Sequence, residues 1–228
     1  SELQKGVEEG KWVFIRTIEG GAALGGDLEK IVHFAKKKIK MMTLTWNGEN
    51  ELGSGCAGTG GLTGFGKEAV KLMEENGIIV DCAHLNDAGF EDLLNITKRP
   101  FVASHSNLRS CCEVPRNLRE DQFVELVRRG GLCGINLYSR FLSVPDQKGE
   151  GERELLFRHI YRMLELGGED CIAWGTDLDG QITCDPSLGS PFGAASFGTY
   201  LAERGIPEGA VKKFCFENAY RFFQSYMR

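Results

Sequence analysis

The chain has 228 residues, 42% hydrophobic and 26% charged, which suits one domain over 1–228 with a sizeable core and leaves little for a second. A formal charge of -5 and a pI near 5.5 provide no basic stripe for neutralising phosphates, so no nucleic-acid partner is expected. No run of about 18 apolar residues suits a bilayer and the first residues do not read as a signal peptide, so a soluble, cytoplasmic protein with no membrane partner is expected.

Short apolar runs alternate with longer helical patterns, the arrangement of parallel strands that return through covering helices. The first strand is expected at Trp12–Ile18, followed by Glu19. Lys36 to Lys38 with Lys40 read as a wet helix end or turn before a second strand at Met41–Trp46. The glycine-rich stretch from Gly53 to Gly66 lacks the Lys-Ser/Thr ending of a P-loop and does not carry GxGxxG into a helix, so it reads as a tightly turned or mobile active-site loop. A helix over Lys67–Glu75 groups Ala69, Val70 and Met73 on one face. Strands at Gly77–Cys82 and Phe101–Ser104 follow, ending in His84 and His105.

Asn117 and Glu120 predict a capping box for a helix over Leu118–Arg129, which groups Phe123, Leu126 and Val127. A strand at Leu132–Leu137, a helix at Glu152–Leu166, a strand at Cys171–Thr176 and a terminal helix at Val211–Tyr226 complete the series. The eight cysteines are spread over a long apolar chain and read as reduced, mostly buried thiols. The fold class expected is α/β, a TIM-like barrel. Six strands fall short of the eight that close such a barrel, so an early N-terminal strand segment is expected to be missing from the sequence.

The polar residues after the strands carry the chemistry. Strand ends converge at the C-terminal mouth of a parallel barrel, so Glu19, His84, His105 and Asp177 fall where distant residues can share an ion or substrate. One carboxylate and two imidazoles suit zinc, and Asp177 stands ready to exchange a proton. The competing reading makes the histidines satisfied turn or packing residues. His33 and His159 fall in helices and read as surface or half-buried side chains, not ligands. Arg116, in EVPRNL, offers planar paired donors to a substrate carboxylate, or equally a helix-start packing role or salt bridge. Asp177 and Asp179 in GTDLDG match no EF-hand, and Ser104 and Ser106 flank His105 without an evident triad.

The ordered series IEGG, MTLTWNGEN, GLTGFGKEAV, VDCAHLND, PFVASHSN, PRNLREDQ and WGTDLDG resembles the membrane (renal) dipeptidase family across nearly the whole chain. The resemblance implies a metallopeptidase barrel that hydrolyses the peptide bond of dipeptides, commonly with two zinc ions. It also implies roles: Glu19 bridging the ions, His84 and His105 serving the second ion, Arg116 holding the substrate carboxylate, and Asp177 acting as acid and base. Two departures stand out. The HxD pair that serves the family's other ion occurs nowhere in the 228 residues, so this chain alone offers ligands for one of the two zinc ions of the complete site. Trp46 stands where family members place a substrate-contacting histidine, and an indole neither accepts a hydrogen bond nor titrates as an imidazole does. Trp46 is therefore expected to pack a different substrate or close the pocket. Another small amide as substrate, or a noncatalytic relative that binds a metal or small molecule, are the rival readings. Self-association into a homo-oligomer is left open.

Overall fold

The structure, a computed structural model, describes residues 1–143 and 151–226. In chain order its strands are β1 (Thr17–Ile18), β2 (Met41–Thr43), β3 (Glu49–Asn50), β4 (Gly53–Ser54), β5 (Ile79–Asp81), β6 (Val102–Ala103), β7 (Leu132–Ile135) and β8 (Ile172–Trp174). Six of them form a parallel sheet in the order β1-β2-β5-β6-β7-β8, while β3 and β4 form a small antiparallel ribbon. All six expected strands are thus present, each shorter than its apolar run. The α/β sheet is consistent with a TIM-like barrel.

The largest correction concerns the first strand. Trp12 and Phe14 are 85% and 87% exposed, and only Thr17–Ile18 pair with β2. Lys11 still donates its N–H to Gly6 of the preceding helix, and the first bond toward β2 runs from the Lys40 N–H to the Arg16 carbonyl. Apolar residues alone do not make a strand where no neighbouring backbone lies alongside.

The chain divides into two compact units, Ser1–Val102 with Arg221–Arg228, and Ala103–Tyr220. The first holds α1 (Glu2–Glu8), α2 (Glu29–Lys36), α3 (Gly64–Glu75) and α4 (Asp87–Ile96). Helix α3 starts three residues earlier than expected because Thr63 caps it, its hydroxyl accepting the Gly66 N–H at 3.0 Å. Helix α4 was not anticipated. Its cap, Asn86, accepts the Gly89 N–H at 2.8 Å and donates to the carbonyls of Gly58 and Gly60 at 3.0 and 2.7 Å, tying the glycine-rich loop to the helix start. That loop is therefore tightly turned. Ile31, Met42, Val70, Met73 and Phe90 are fully buried, each apolar side chain contributing about 1.5–3 kcal/mol. Phe90 meets Phe101 edge-on at 5.7 Å, so truncation to alanine is expected to cost about 3–5 kcal/mol. Arg99 lies 4.1 Å over the Tyr226 ring, whose hydroxyl donates to the Pro100 carbonyl, and burial pushes that phenol up to about 12.

The second unit holds α5 (Glu120–Arg128), α6 (Ser139–Leu142), α7 (Glu152–Glu165), α8 (Pro191–Glu203) and α9 (Glu208–Lys212), and α10 (Asn218–Tyr226) begins in it. The expected Asn117/Glu120 cap is displaced by two residues: Gln122 accepts the Arg119 N–H at 2.9 Å. Asn117 is buried and donates instead to the carbonyls of Cys112 and Phe141, both at 2.9 Å. The expected single helix Val211–Tyr226 is interrupted by a π-helical turn over Lys213–Glu217, where Phe214 reaches Trp174 at 4.6 Å and Asn218 donates to the Glu169 and Ile172 carbonyls at 2.8 Å. His159 also departs from expectation. It is fully buried, its Nδ1 accepting the Leu108 N–H at 3.1 Å while Nε2 faces the Leu142 carbonyl at 3.3 Å, and burial pushes its pKa down to about 4. His33 is exposed, as expected. Four of the eight free cysteines are buried and four half-buried.

Candidate metal centre

Strand β5 positions His84 through a buried carboxylate. Thr43 and Asp81 are register partners across β2 and β5, and the Thr43 hydroxyl donates to Asp81 Oδ2 at 2.7 Å. Asp81 Oδ1 accepts the Ala83 N–H at 3.0 Å, and the Leu85 N–H reaches the Cys82 carbonyl at 3.0 Å, turning the chain sharply. His84 sits at the apex with φ 68°, in the left-handed region that side chains other than Gly, Asn, Asp and His seldom adopt. Its ring is held on both nitrogens, Nδ1 2.8 Å from Asn47 Oδ1 and Nε2 2.9 Å from Glu19 Oε1.

The loop that follows β2 presses close to this turn. The Cys56 N–H donates to the His84 carbonyl at 2.7 Å, and a Cβ on Gly55 would lie 1.8 Å from the Trp46 carbonyl oxygen. Only glycine fits there. Trp46 itself is 60% exposed, its indole 6.0 Å from the His84 ring.

In the second unit, His105 is buried at the end of β6 with Nδ1 2.7 Å from the Ser104 hydroxyl. Arg116 is also buried. Its Nη2 donates to the His105 carbonyl at 2.9 Å and its Nη1 to the Ser106 hydroxyl at 3.1 Å, with the guanidinium 5.7 Å from the Phe141 ring. Asp177 is half-buried after β8 with φ 59°, and Asn136 Nδ2 donates to its Oδ2 at 3.2 Å. Asn136 is in turn fixed by Asn107, whose side chain accepts the Asn136 N–H at 3.1 Å and donates to its carbonyl at 3.0 Å. Asp179 is exposed.

One ligand atom each from Glu19, His84 and His105 lie within 4.8 Å of one another, a single such cluster among the described residues. A carboxylate oxygen with two imidazole nitrogens fits a borderline cation of the zinc type better than calcium or magnesium, which prefer all-oxygen shells. These three residues are legible in the sequence as polar residues that follow apolar strands. Asp81, Asn47 and Asn136, the residues that hold them or Asp177, do not stand out there. A polar residue inside or just past an apolar strand was the available signal, since a carboxylate or amide is rarely buried there without a partner.

A carboxylate and two histidines following parallel strands make a candidate metal centre on an α/β sheet. The chain belongs to the membrane dipeptidase family (peptidase family M19), which it matches over residues 1–227. It is 28% identical over 235 residues to an uncharacterised protein in the pqqA 5' region of Klebsiella pneumoniae, covering 99% of this chain and 86% of that one. Among solved structures, a metallopeptidase from Rhodobacter sphaeroides, liganded with a phosphinate mimic of the dipeptide L-Ala-D-Ala, superposes with a TM-score of 0.91 at 26% identity, over 98% of this chain and 66% of that one. An amidohydrolase from Pseudomonas aeruginosa shares the fold, with a TM-score of 0.88 at 24% identity, over 99% of this chain and 76% of its own.

Proposed function

We propose that this protein is a metal-dependent hydrolase that cleaves the peptide bond of dipeptides, with its six strands belonging to a TIM-like barrel and its residues to a single domain. The observation that carries this reading is the Glu19, His84 and His105 donor cluster in a member of this family. These three residues would hold a zinc ion, which supplies Lewis acidity to the scissile carbonyl and to the attacking water. Asp177 is assigned the proton transfer from water to the departing amine, since its carboxylate is half-buried and steadied by Asn136 without being one of the clustered ligand groups. Arg116 is assigned the substrate carboxylate; it is a buried positive charge bonded to the backbone of His105. The dipeptide mimic bound by the Rhodobacter sphaeroides relative supports a substrate of this size and charge.

Trp46 favours a second reading of the substrate. An exposed indole beside His84 supplies an apolar platform where the family carries a histidine, which suits a small amide with an apolar or aromatic side. No helix is long and apolar enough to cross a membrane among the described residues, and eight cysteines without a disulfide suit the reducing cytoplasm.

The test is turnover of a dipeptide panel that includes L-Ala-D-Ala, before chelation, after it, and after zinc is restored, with bound metal measured in parallel. Hydrolysis that disappears and returns with zinc is expected. A protein that binds the ion and cleaves no member of the panel would sink the dipeptidase reading and leave that of a noncatalytic relative or a hydrolase of another amide.

A further inference from the structure

We infer that Asn47 is a positioning residue for the metal centre: its side-chain oxygen receives the Nδ1 proton of His84 and so turns the Nε2 lone pair toward the ion. The inference rests on the reading of His84 as a ligand. Three observations place Asn47 in this role. Its Oδ1 is 2.8 Å from His84 Nδ1, and the same oxygen accepts from Cys56 Sγ at 3.3 Å. The backbones of both residues are stitched to one loop, the Ala57 N–H donating to the Asn47 carbonyl at 2.9 Å and the Cys56 N–H to the His84 carbonyl at 2.7 Å. His84 has φ 68°, so its backbone has little room to re-aim the ring.

Chemistry supplies the rest. Both ring nitrogens of His84 face oxygen acceptors, Asn47 on one side and Glu19 on the other. A neutral imidazole has one proton to give. With it on Nε2, the ring latches onto Glu19 and two ligand groups are spent on each other. With it on Nδ1, the Nε2 lone pair and the Glu19 carboxylate are both presented to a cation. Asn47 selects the second state, because the first would set the Nδ1 lone pair against its oxygen. A partner on the far nitrogen of a ligating histidine is worth about 10–100-fold in metal affinity.

The test measures zinc affinity by chelator competition on the whole chain, for the native protein and for Asn47→Leu, Asn47→Asp and His84→Asn; asparagine at 84 tolerates the left-handed backbone while removing the imidazole. Asn47→Leu is expected to weaken binding by about 10–100-fold. Asn47→Asp, which keeps an acceptor, is expected to bind at least as well as the native protein. Unchanged affinity in Asn47→Leu alongside a large loss in His84→Asn would overturn the inference and leave the metal centre standing. Unchanged affinity in His84→Asn would remove the ligand reading itself. Long-range proton–nitrogen NMR of the zinc-loaded native protein decides the matter independently of whether Asn47→Leu folds: a proton on His84 Nδ1 is expected, and a proton on Nε2 with zinc at Nδ1 overturns it.

Discussion

The two compact units steady their functional residues differently. In the first, carboxylates take part and ranges are mixed: Thr63 and Asn86 each accept an N–H three residues on and Asp81 one two residues on, but Asp81 also accepts the Thr43 hydroxyl across 38 positions and His84 meets Asn47 across 37 and Glu19 across 65. In the second, the supports are buried neutral groups far apart in sequence, with Asn107 gripping the backbone of Asn136 across 29 positions, Asn136 reaching Asp177 across 41, and His159 reaching Leu108 across 51. Local caps form with their helix or turn and tolerate distant change. A long-range network exists only once the unit has packed, and it fails as a whole when one member is charged or removed.

Four measurements press on this contrast, starting with the largest effect. Asp177→Asn, which keeps the contact with Asn136 but loses the carboxylate proposed to carry the proton, is expected to lower kcat by about 100- to 10,000-fold with metal stoichiometry unchanged; near-native kcat would show that Asp177 is not the proton carrier. Second comes acid. Burial holds His159 at about 4, against 6.5 for an ordinary imidazole, so on acidification the unfolded chain takes up the proton first. The stability that depends on neutral His159 is whole above pH 6.5 and drains away as the pH falls toward 4, about 3 kcal/mol in all. Urea titrations across that range should show this slope, and His159→Gln should flatten it. If the slope persists in His159→Gln, its source lies elsewhere.

Asn136→Leu is third. It removes the donor to Asp177 and the acceptor of the Tyr138 N–H, a 2.6 Å bond, and is expected to cost about 1–3 kcal/mol of stability. It should also cost about 10–100-fold in kcat with KM little changed, as misplacement of a reacting group does. A rise in KM alone would point to substrate binding instead. The smallest effect on the fold is predicted for Trp46→His. With the indole 60% exposed, stability should stay within about 0.5 kcal/mol, while kcat/KM for dipeptides rises and that for bulkier apolar amides falls. A large drop in melting temperature would show that the indole supports the fold after all.

What the sequence disclosed is set by range along the chain and not by unit. Apolar runs located all six sheet strands, and the polar residues after them led to Glu19, His84 and His105, because the ends of parallel strands lie along one edge of the sheet whatever their separation along the chain. Strand limits were overdrawn at Trp12–Ile18, where hydrophobicity was not matched by a neighbouring backbone. Helix α4 has no counterpart among the expected elements, although Asn is a good cap and Asn86 caps it. His159 was misplaced because a histidine on an amphipathic helix gives no sign of whether it faces the core. Asn47, followed by Gly48, reads as an ordinary turn pair, and Asn136 as the end of an apolar strand; their partners lie 37 and 41 residues away, beyond the reach of any local pattern.

The closeness of Gly55 to Trp46 has a consequence for how this site can diverge. The loop meets residue 46 at its peptide oxygen, while the side chain projects outward and is largely solvent-exposed. Backbone atoms are common to every amino acid, so position 46 is an exchangeable fitting on an unchanging mount. A change of side chain at 46 therefore alters what is presented to solvent beside His84, while the glycine beneath, which no other residue can replace, keeps the mount as it was.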